Sequence, residues 1–224
     1  MKFKDAFEIM RPINCLMGGL TVIIGILNTR QGIPFGNLLI NIILGVITYY
    51  FIAASGMIIN DYYDFKSGID QINRPERPIP RGSVTIKQAK FLFIITVSIG
   101  ILTSIINSLI LNLGFLNILI AALFGFIGWL YAFWGKKIGF AGNLIVAFSF
   151  SIGLIYGAIL NGYFIPLYIY FFFLTSFFLL LAREIVKGCE DIEGDRNSGV
   201  KTLAVTLGIG KALIISTICQ ISAV

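Results

Sequence analysis

The sequence contains no histidine. That removes imidazole-based metal sites and any Ser-His-Asp arrangement. Charge is scarce as well. Only 12% of the 224 residues are Asp, Glu, Lys or Arg, against about a quarter in an ordinary globular domain. Too few polar side chains exist to cover a water-exposed surface, so a soluble domain is excluded. The three cysteines, Cys15, Cys189 and Cys219, are scattered with no CxxC pair. This spacing supports neither a disulfide framework nor a zinc or iron–sulfur site, and each reads as a small apolar side chain. No A-x-A cleavage site follows the amphipathic, basic opening MKFKDAFEIMRP, so no cleavable signal is expected. The formal charge of +6 does not point to nucleic acid in so apolar a chain. In a membrane protein, surplus Lys and Arg marks cytoplasmic loops.

What is present is hydrocarbon. Hydrophobic residues make up 57% of the chain, with mean hydropathy +0.91. A bilayer core needs about 20 apolar residues per helix. Seven candidate spans meet that need, over residues 13–29, 37–60, 88–110, 115–134, 140–160, 163–183 and 204–224. The expected fold class is therefore all-α, a polytopic membrane helical bundle forming one membrane-embedded domain over residues 1–224. Gly18, Gly25, Ala121, Gly125, Gly128, Gly142, Gly153 and Gly157 recur along the spans, and small residues let helices approach closely in lipid.

The connections alternate in character. Residues 61–87, 135–139 and 184–203 carry charge, whereas 111–114 and 161–163 carry none. The N-terminal segment and the charged connections hold most of the lysines and arginines; Arg30 stands apart. By the positive-inside rule, these segments are cytoplasmic. Two acidic stretches then share one side. They follow spans 2 and 6, and four intervening spans suggest two four-helix-like halves around a central cavity. A second complete half would need an eighth span, so the chain reads as truncated at its C-terminus.

The first stretch, residues 60–82, reads NDYYDFKSGIDQINRPERPIPRG. If helix continues through Asp64, then Asn60, Asp61 and Asp64 share one face. Carboxylates that close repel one another, and a bound divalent cation removes the conflict. Mg²⁺ is commonly held by one or two carboxylates plus phosphate oxygens. Asp70 lies past Ser67-Gly68 and can fold back toward the same ion. Proline then stiffens the loop and forbids helix, presenting Arg74, Arg77 and Arg81 in set directions. Guanidinium forks suit phosphate oxygens. For Arg81 and Lys87 the competing reading is a solvated loop that enforces topology.

The second stretch reads REIVKGCEDIEGDRNSGVK. Arg183, Lys187, Asp191 and Asp195 recur every four residues and form one stripe if the segment is helical. Its cationic end points toward the membrane and its anionic end toward the cytoplasm. Such a stripe suits a diphosphate, with carboxylates holding Mg²⁺ and bases contacting phosphate beyond it. Glu184, Glu190 and Glu193 fall off the stripe. Between the two stretches, Tyr131, Lys136 and Lys137 can place a hydroxyl and ammonium groups near one anion. A belt of aromatic and basic residues at the interface reads equally well there. Asn14 sits at the same interface beside Arg11 and is a further candidate substrate contact.

In this order, NDxxD with a further Asp, NRPxRPIPxG, YxxxxK and a later DxxxD resemble the UbiA-type intramembrane prenyltransferases over nearly the whole chain. The resemblance implies a bundle of about nine spans and Mg²⁺-dependent transfer of a prenyl group. It puts metal ligation on Asp61, Asp64, Asp70, Asp191 and Asp195, with Asn60 beside them. Diphosphate contacts fall on Arg74, Lys136 and Lys187, with Tyr131 assisting. The first motif is most similar to the archaeal ether-lipid branch, which implies geranylgeranyl diphosphate as donor and a lipid-soluble prenyl acceptor, geranylgeranylglyceryl phosphate. Arg77 or Lys137 then meets the acceptor's own phosphate. An aromatic acceptor of the menaquinone or ubiquinone kind is the alternative. An ion-coupled transporter fits less well, because it would carry its charges near mid-span.

Overall fold

The computed structural model describes residues 1–134, 139–162, 164–197 and 199–224. Among them every regular element is helical. In chain order these are α1 (Phe3–Ile9), α2 (Pro12–Asn28), α3 (Phe35–Lys66), α4 (Ile69–Asn73), α5 (Ile86–Leu111), α6 (Leu116–Phe133), α7 (Phe140–Ser151), α8 (Gly153–Asn161), α9 (Leu167–Glu190), α10 (Ile192–Asn197), α11 (Leu203–Leu207) and α12 (Ile209–Ser222).

Among the described residues, five segments are long and apolar enough to cross a membrane: α3, α5, α6, α7 with α8, and α9. The pair α1 and α2, bent by 53°, makes up to a sixth. The bend falls where Arg11 adopts a left-handed conformation (φ 51°) and Pro12 opens α2, a position whose N–H would be unpaired in any case. The last expected span is divided at Gly208 into α11 and the 14-residue α12, which is too short to cross by itself. Gly208 has φ 84°, a conformation that ends α11 at no steric cost to glycine. Outward faces such as Phe91, Leu102, Leu109, Phe171 and Ile214 are exposed. A solvated monomer does not present so large an apolar surface; lipid accommodates it.

Helix α3 is the spine, packing against α2, α5 and α6, while α9 packs against α7 and α12. At 32 residues, α3 runs about 48 Å, more than the ~30 Å hydrocarbon core requires. Its last turns, carrying Asn60, Asp61 and Asp64, therefore extend beyond the hydrocarbon. The span over 140–161 is interrupted at Ile152. There the Tyr49 hydroxyl donates to the carbonyls of Phe150 at 3.2 Å and Ser149 at 3.5 Å, satisfying groups that the break frees.

On the charged side, α1 lies across the bundle. Ala6 and Ile9 pack with Ile58, Ile79, Val84, Ala89 and Leu92. Arg81 fastens α1 from the loop, meeting Asp5 and Glu8 at 2.8 Å each. Helix α5 opens with a reciprocal cap between Thr85 and Gln88, which ends the proline-rich loop at a defined point.

Helices α2 and α8 touch through backbone. A Cβ on Gly25 would meet the Leu154 carbonyl oxygen at 2.1 Å, and one on Gly157 would meet the Val22 carbonyl oxygen at 2.2 Å. No flexible side chain can yield at either contact. Gly157→Ala is expected to separate the helices and cost about 1–3 kcal/mol, read as a lowered Tm in detergent. Gly36→Ala, in open space, should leave Tm unchanged.

Candidate functional site

The site begins where α3 ends. Asn60 and Asp64 are one turn apart, and the Asn60 amide donates to Asp64 at 2.8 Å. Helix α3 stops at Ser67, and Gly68, with φ 83°, reverses the chain. That reversal starts α4 and returns Asp70 to the acidic face. Asp61, Asp64 and Asp70 are all buried, and one oxygen from each lies within 4.8 Å of the others.

Arginine holds this concentration of negative charge together. Arg77 Nη1 lies 2.8 Å from Asp70, 3.2 Å from Asp61 and 3.8 Å from Asp64. Arg11 also pairs with Asp61. Burial, with the Asp64 charge adding to it, pushes the Asp70 carboxyl up to about 6 against the pull of Arg77. The three aspartates form an oxygen-only donor set already compensated by positive charge. They fit a hard divalent cation such as Mg²⁺.

The loop 74–85 uses its three arginines differently. Arg77 turns into the acidic cluster and Arg81 turns away to α1. Arg74 reaches the end of α9, with Nη2 2.9 Å from Asp191. This ion pair joins the two acidic stretches. Helices α4 and α10 meet nearby, so closely that a Cβ on Gly194 would overlap Asn73 Oδ1 at 1.9 Å.

The second stretch is a helix, a turn and a short helix. Helix α9 ends at Glu190, Asp191 caps it, and α10 carries Asp195, which is buried. Lys187, Asp191 and Asp195 all line one polar pocket. Arg183 departs from the expected stripe. Its side chain is 62% exposed, whereas that of Glu184 is 10% exposed, and the two pair at 3.0 Å. At 3.6 residues per turn a spacing of eight drifts well off one face and a spacing of seven nearly closes on it, so the inward series on α9 is Glu184, Lys187 and Asp191, at i, i+3 and i+7. Arg183 reaches only the apolar cavity described next.

Two cavities meet here. The polar pocket, about 80 Å³, is walled by Asn60, Asp64, Asp70, Arg74, Asp191 and Asp195 among others. The second, about 470 Å³, is mostly apolar, with Met57, Ile52, Phe124, Ile145, Val146 and Leu180 in its wall. Asn60, Arg77, Tyr131, Glu184 and Lys187 line both, so these residues stand at the junction. Along α3 the larger cavity runs from Asn60 to Thr48, roughly 18 Å of helix. Tyr156 lines it deep in the bundle and donates to Asn117 at 2.7 Å. The arrangement accommodates a polyanion in the polar pocket with an apolar tail in the larger cavity.

The structure thus brings together Asn60, Asp64, Asp70, Arg74, Tyr131, Lys187, Asp191 and Asp195 around the polar pocket. Asn14 and Arg77 line the apolar cavity. Asp61 belongs to the carboxylate cluster but contributes no surface to either cavity. Lys136 and Lys137 lie outside the described residues. Sequence reasoning passed over Asn143, which lines the polar pocket, and Glu184. Nothing marks Asn143 in the sequence. Glu184 was legible only by counting i, i+3, i+7 back from Asp191 rather than i, i+4.

Comparison with known proteins identifies a family. Residues 19–224 match the model of the UbiA prenyltransferase family. A digeranylgeranylglyceryl phosphate synthase from Pyrococcus horikoshii is 39% identical over 97% of this chain and 74% of its own. The synthase of the same name from Saccharolobus solfataricus is 40% identical with the same coverage. A solved structure from work on digeranylgeranylglyceryl phosphate synthase in membranes superposes with a TM-score of 0.73. It is 30% identical and covers 98% of this chain and 74% of that one. A UbiA homologue from Archaeoglobus fulgidus bound to GPP and Mg²⁺ superposes with a TM-score of 0.77 at 18% identity, over 98% of this chain and 75% of that one, and speaks for the fold alone. On the family match and these relatives, the chain belongs to the UbiA prenyltransferase family.

Proposed function

We propose that this chain is a Mg²⁺-dependent intramembrane prenyltransferase. It moves a geranylgeranyl group from its diphosphate to the hydroxyl of geranylgeranylglyceryl phosphate, in archaeal ether-lipid synthesis. The observation that carries the reading is the Arg74–Asp191 ion pair. It draws two acidic stretches 117 residues apart in sequence onto one polar pocket that shares its wall with a long apolar cavity. The names carried by the most similar relatives favour this acceptor over an aromatic one.

In this reading the diphosphate occupies the polar pocket, contacted by Arg74, Lys187 and Tyr131; the family resemblance assigns Lys136 the same role. Asp61, Asp64, Asp70, Asp191 and Asp195 hold Mg²⁺, which when bound supplies positive charge to the departing diphosphate. Arg74 and Lys187 stabilise the charge that grows on the diphosphate oxygens as the allylic bond breaks. The isoprenoid tail extends into the larger cavity, where it gains roughly 0.8 kcal/mol per buried CH₂. That cavity keeps water from the allylic cation, and the Phe124 and Tyr131 rings face it. Arg77 and Arg183 line the larger cavity and are available to the acceptor's phosphate, a role the sequence also assigns to Lys137, and Asn14 is available to either substrate. The charged end faces the cytoplasm of the cell membrane, and residues 1–224 act as one membrane-embedded domain gathered about the cavity.

The decisive assay offers labelled geranylgeranyl diphosphate with geranylgeranylglyceryl phosphate, then with aromatic acceptors, each with and without Mg²⁺. A diether product that needs both Mg²⁺ and the glycerol acceptor is expected. Prenylation of an aromatic acceptor alone would move the chain to another branch of the family. Asp64→Ala and Asp191→Ala are each expected to lower turnover at least about 10²–10³-fold with Tm retained; full activity in both would remove them from the site.

Asp70 adds a pH test. Its folded value, about 6, lies above the ordinary 3.8. A carboxyl raised in this way costs stability as it ionises, so the metal-free fold weakens from this group between pH ~4 and ~6. Cation binding removes that cost. The rise in Tm produced by Mg²⁺ should therefore grow from about pH 5 to about pH 7, and Asp70→Asn should flatten the trend.

A further inference from the structure

We infer that Glu184 is the general base that takes the proton of the acceptor hydroxyl as the ether bond forms. The inference rests on the prenyltransferase reading above and deepens it. Ether formation by an alcohol has a requirement that diphosphate departure does not. Once the hydroxyl oxygen bonds to carbon it becomes a strongly acidic oxonium, and its proton needs an acceptor within hydrogen-bond reach. Water is a poor candidate where the cavity wall is mostly apolar.

Among the described residues, Glu184 is the one Asp or Glu that lines the apolar cavity. It also lines the polar pocket, so it stands where diphosphate and isoprenoid meet. Asp64, Asp70, Asp191 and Asp195 face only the polar pocket, and Asp61 faces neither cavity. Along α9, Glu184 sits seven residues before Asp191, about 10 Å deeper toward the hydrocarbon. Arg183 Nη1 holds Glu184 Oε1 at 3.0 Å from the exposed side of the helix, fixing the direction of a side chain that is otherwise buried. The placement separates two duties. Carboxylates nearer the cytoplasm gather positive charge around the leaving group, and the deeper one faces the incoming nucleophile.

The step balances. The allylic C1–O bond breaks and its electron pair leaves with the diphosphate. A lone pair on the acceptor hydroxyl oxygen forms the new C1–O bond. The hydroxyl proton passes to the Glu184 carboxylate, which later releases it to solvent through the polar pocket.

The test uses the full chain in lipid nanodiscs. Two quantities are read side by side: turnover with geranylgeranylglyceryl phosphate, and scrambling of a bridge ¹⁸O label in geranylgeranyl diphosphate, which reports donor ionisation alone. Glu184→Gln keeps the size of the side chain and a partner for Arg183. It is expected to lower turnover about 10²–10⁴-fold, while scrambling stays within about threefold of the unsubstituted chain. Formate added to Glu184→Ala should restore part of the lost turnover, which a purely structural role would not permit. Turnover in Glu184→Gln within about tenfold of the unsubstituted chain would overturn the inference and leave the departing diphosphate as base. Turnover and scrambling falling together would also overturn it, by placing Glu184 on the donor. Neither scrambling nor turnover in the unsubstituted chain would overturn the prenyltransferase reading itself, and this inference with it.

Discussion

Mutual neutralisation of carboxylates and guanidinium groups at the charged end of α3 is the constraint on which the rest of the structure depends. Three buried aspartates within a few ångströms of one another would repel strongly. Arg77 stands among them and Arg11 pairs with the most deeply buried one. Each arginine is itself placed by the local structure around it. A left-handed residue before Pro12 turns the Arg11 side chain to α3. A loop with three prolines carries Arg77 inward while Arg81 anchors α1 outside. The folded chain thus keeps its carboxylates together by internal cations, and the same cluster suits a divalent ion when a polyanion arrives.

Charge compensation also joins the two ends of the sequence. Arg74 belongs to the loop after α4, Asp191 to the end of α9, and their ion pair spans the polar pocket. It is partly exposed, so its direct contribution to stability is small, about 0–1 kcal/mol. Its importance is geometric. It sets the spacing of two acidic walls about a small pocket, while the packing of α3 and α9 with their neighbours leaves a much larger apolar cavity behind it. A substrate with a charged head and a hydrocarbon tail is divided between those compartments by the same physics that divides the protein between water and lipid.

How far the sequence was readable depended on the signal. Helix type and most of the span positions followed from uninterrupted apolar runs, because a bilayer admits helices and little else. Asn60, Asp61 and Asp64 were legible because acidic groups at the end of an apolar run are costly without a reason. Asp70 was legible as a candidate, but its return depended on the reversal at Gly68. Breaks within apolar runs were not legible. Nothing in residues 140–160 announces the interruption at Ile152, which is sustained by the Tyr49 hydroxyl arriving from another helix. The division at Gly208 likewise turns one expected span into two short helices. The stripe through Arg183 counted in strict fours, which drift on a helix of 3.6 residues per turn, and a spacing of seven from Asp191 puts Glu184 on the inside instead.

By itself the sequence determined the membrane-embedded class, the common side of the two acidic stretches and the chemical character of the site. Those follow from composition, run length and local spacing, which are properties of residues near one another in the chain. Only the tertiary structure decided which arginine meets which carboxylate, which face of α9 looks inward, and that the polar pocket opens onto a long apolar cavity. Each of these is set by contacts between helices far apart in sequence, where the phase of one helix and the reach of one side chain outweigh any local pattern.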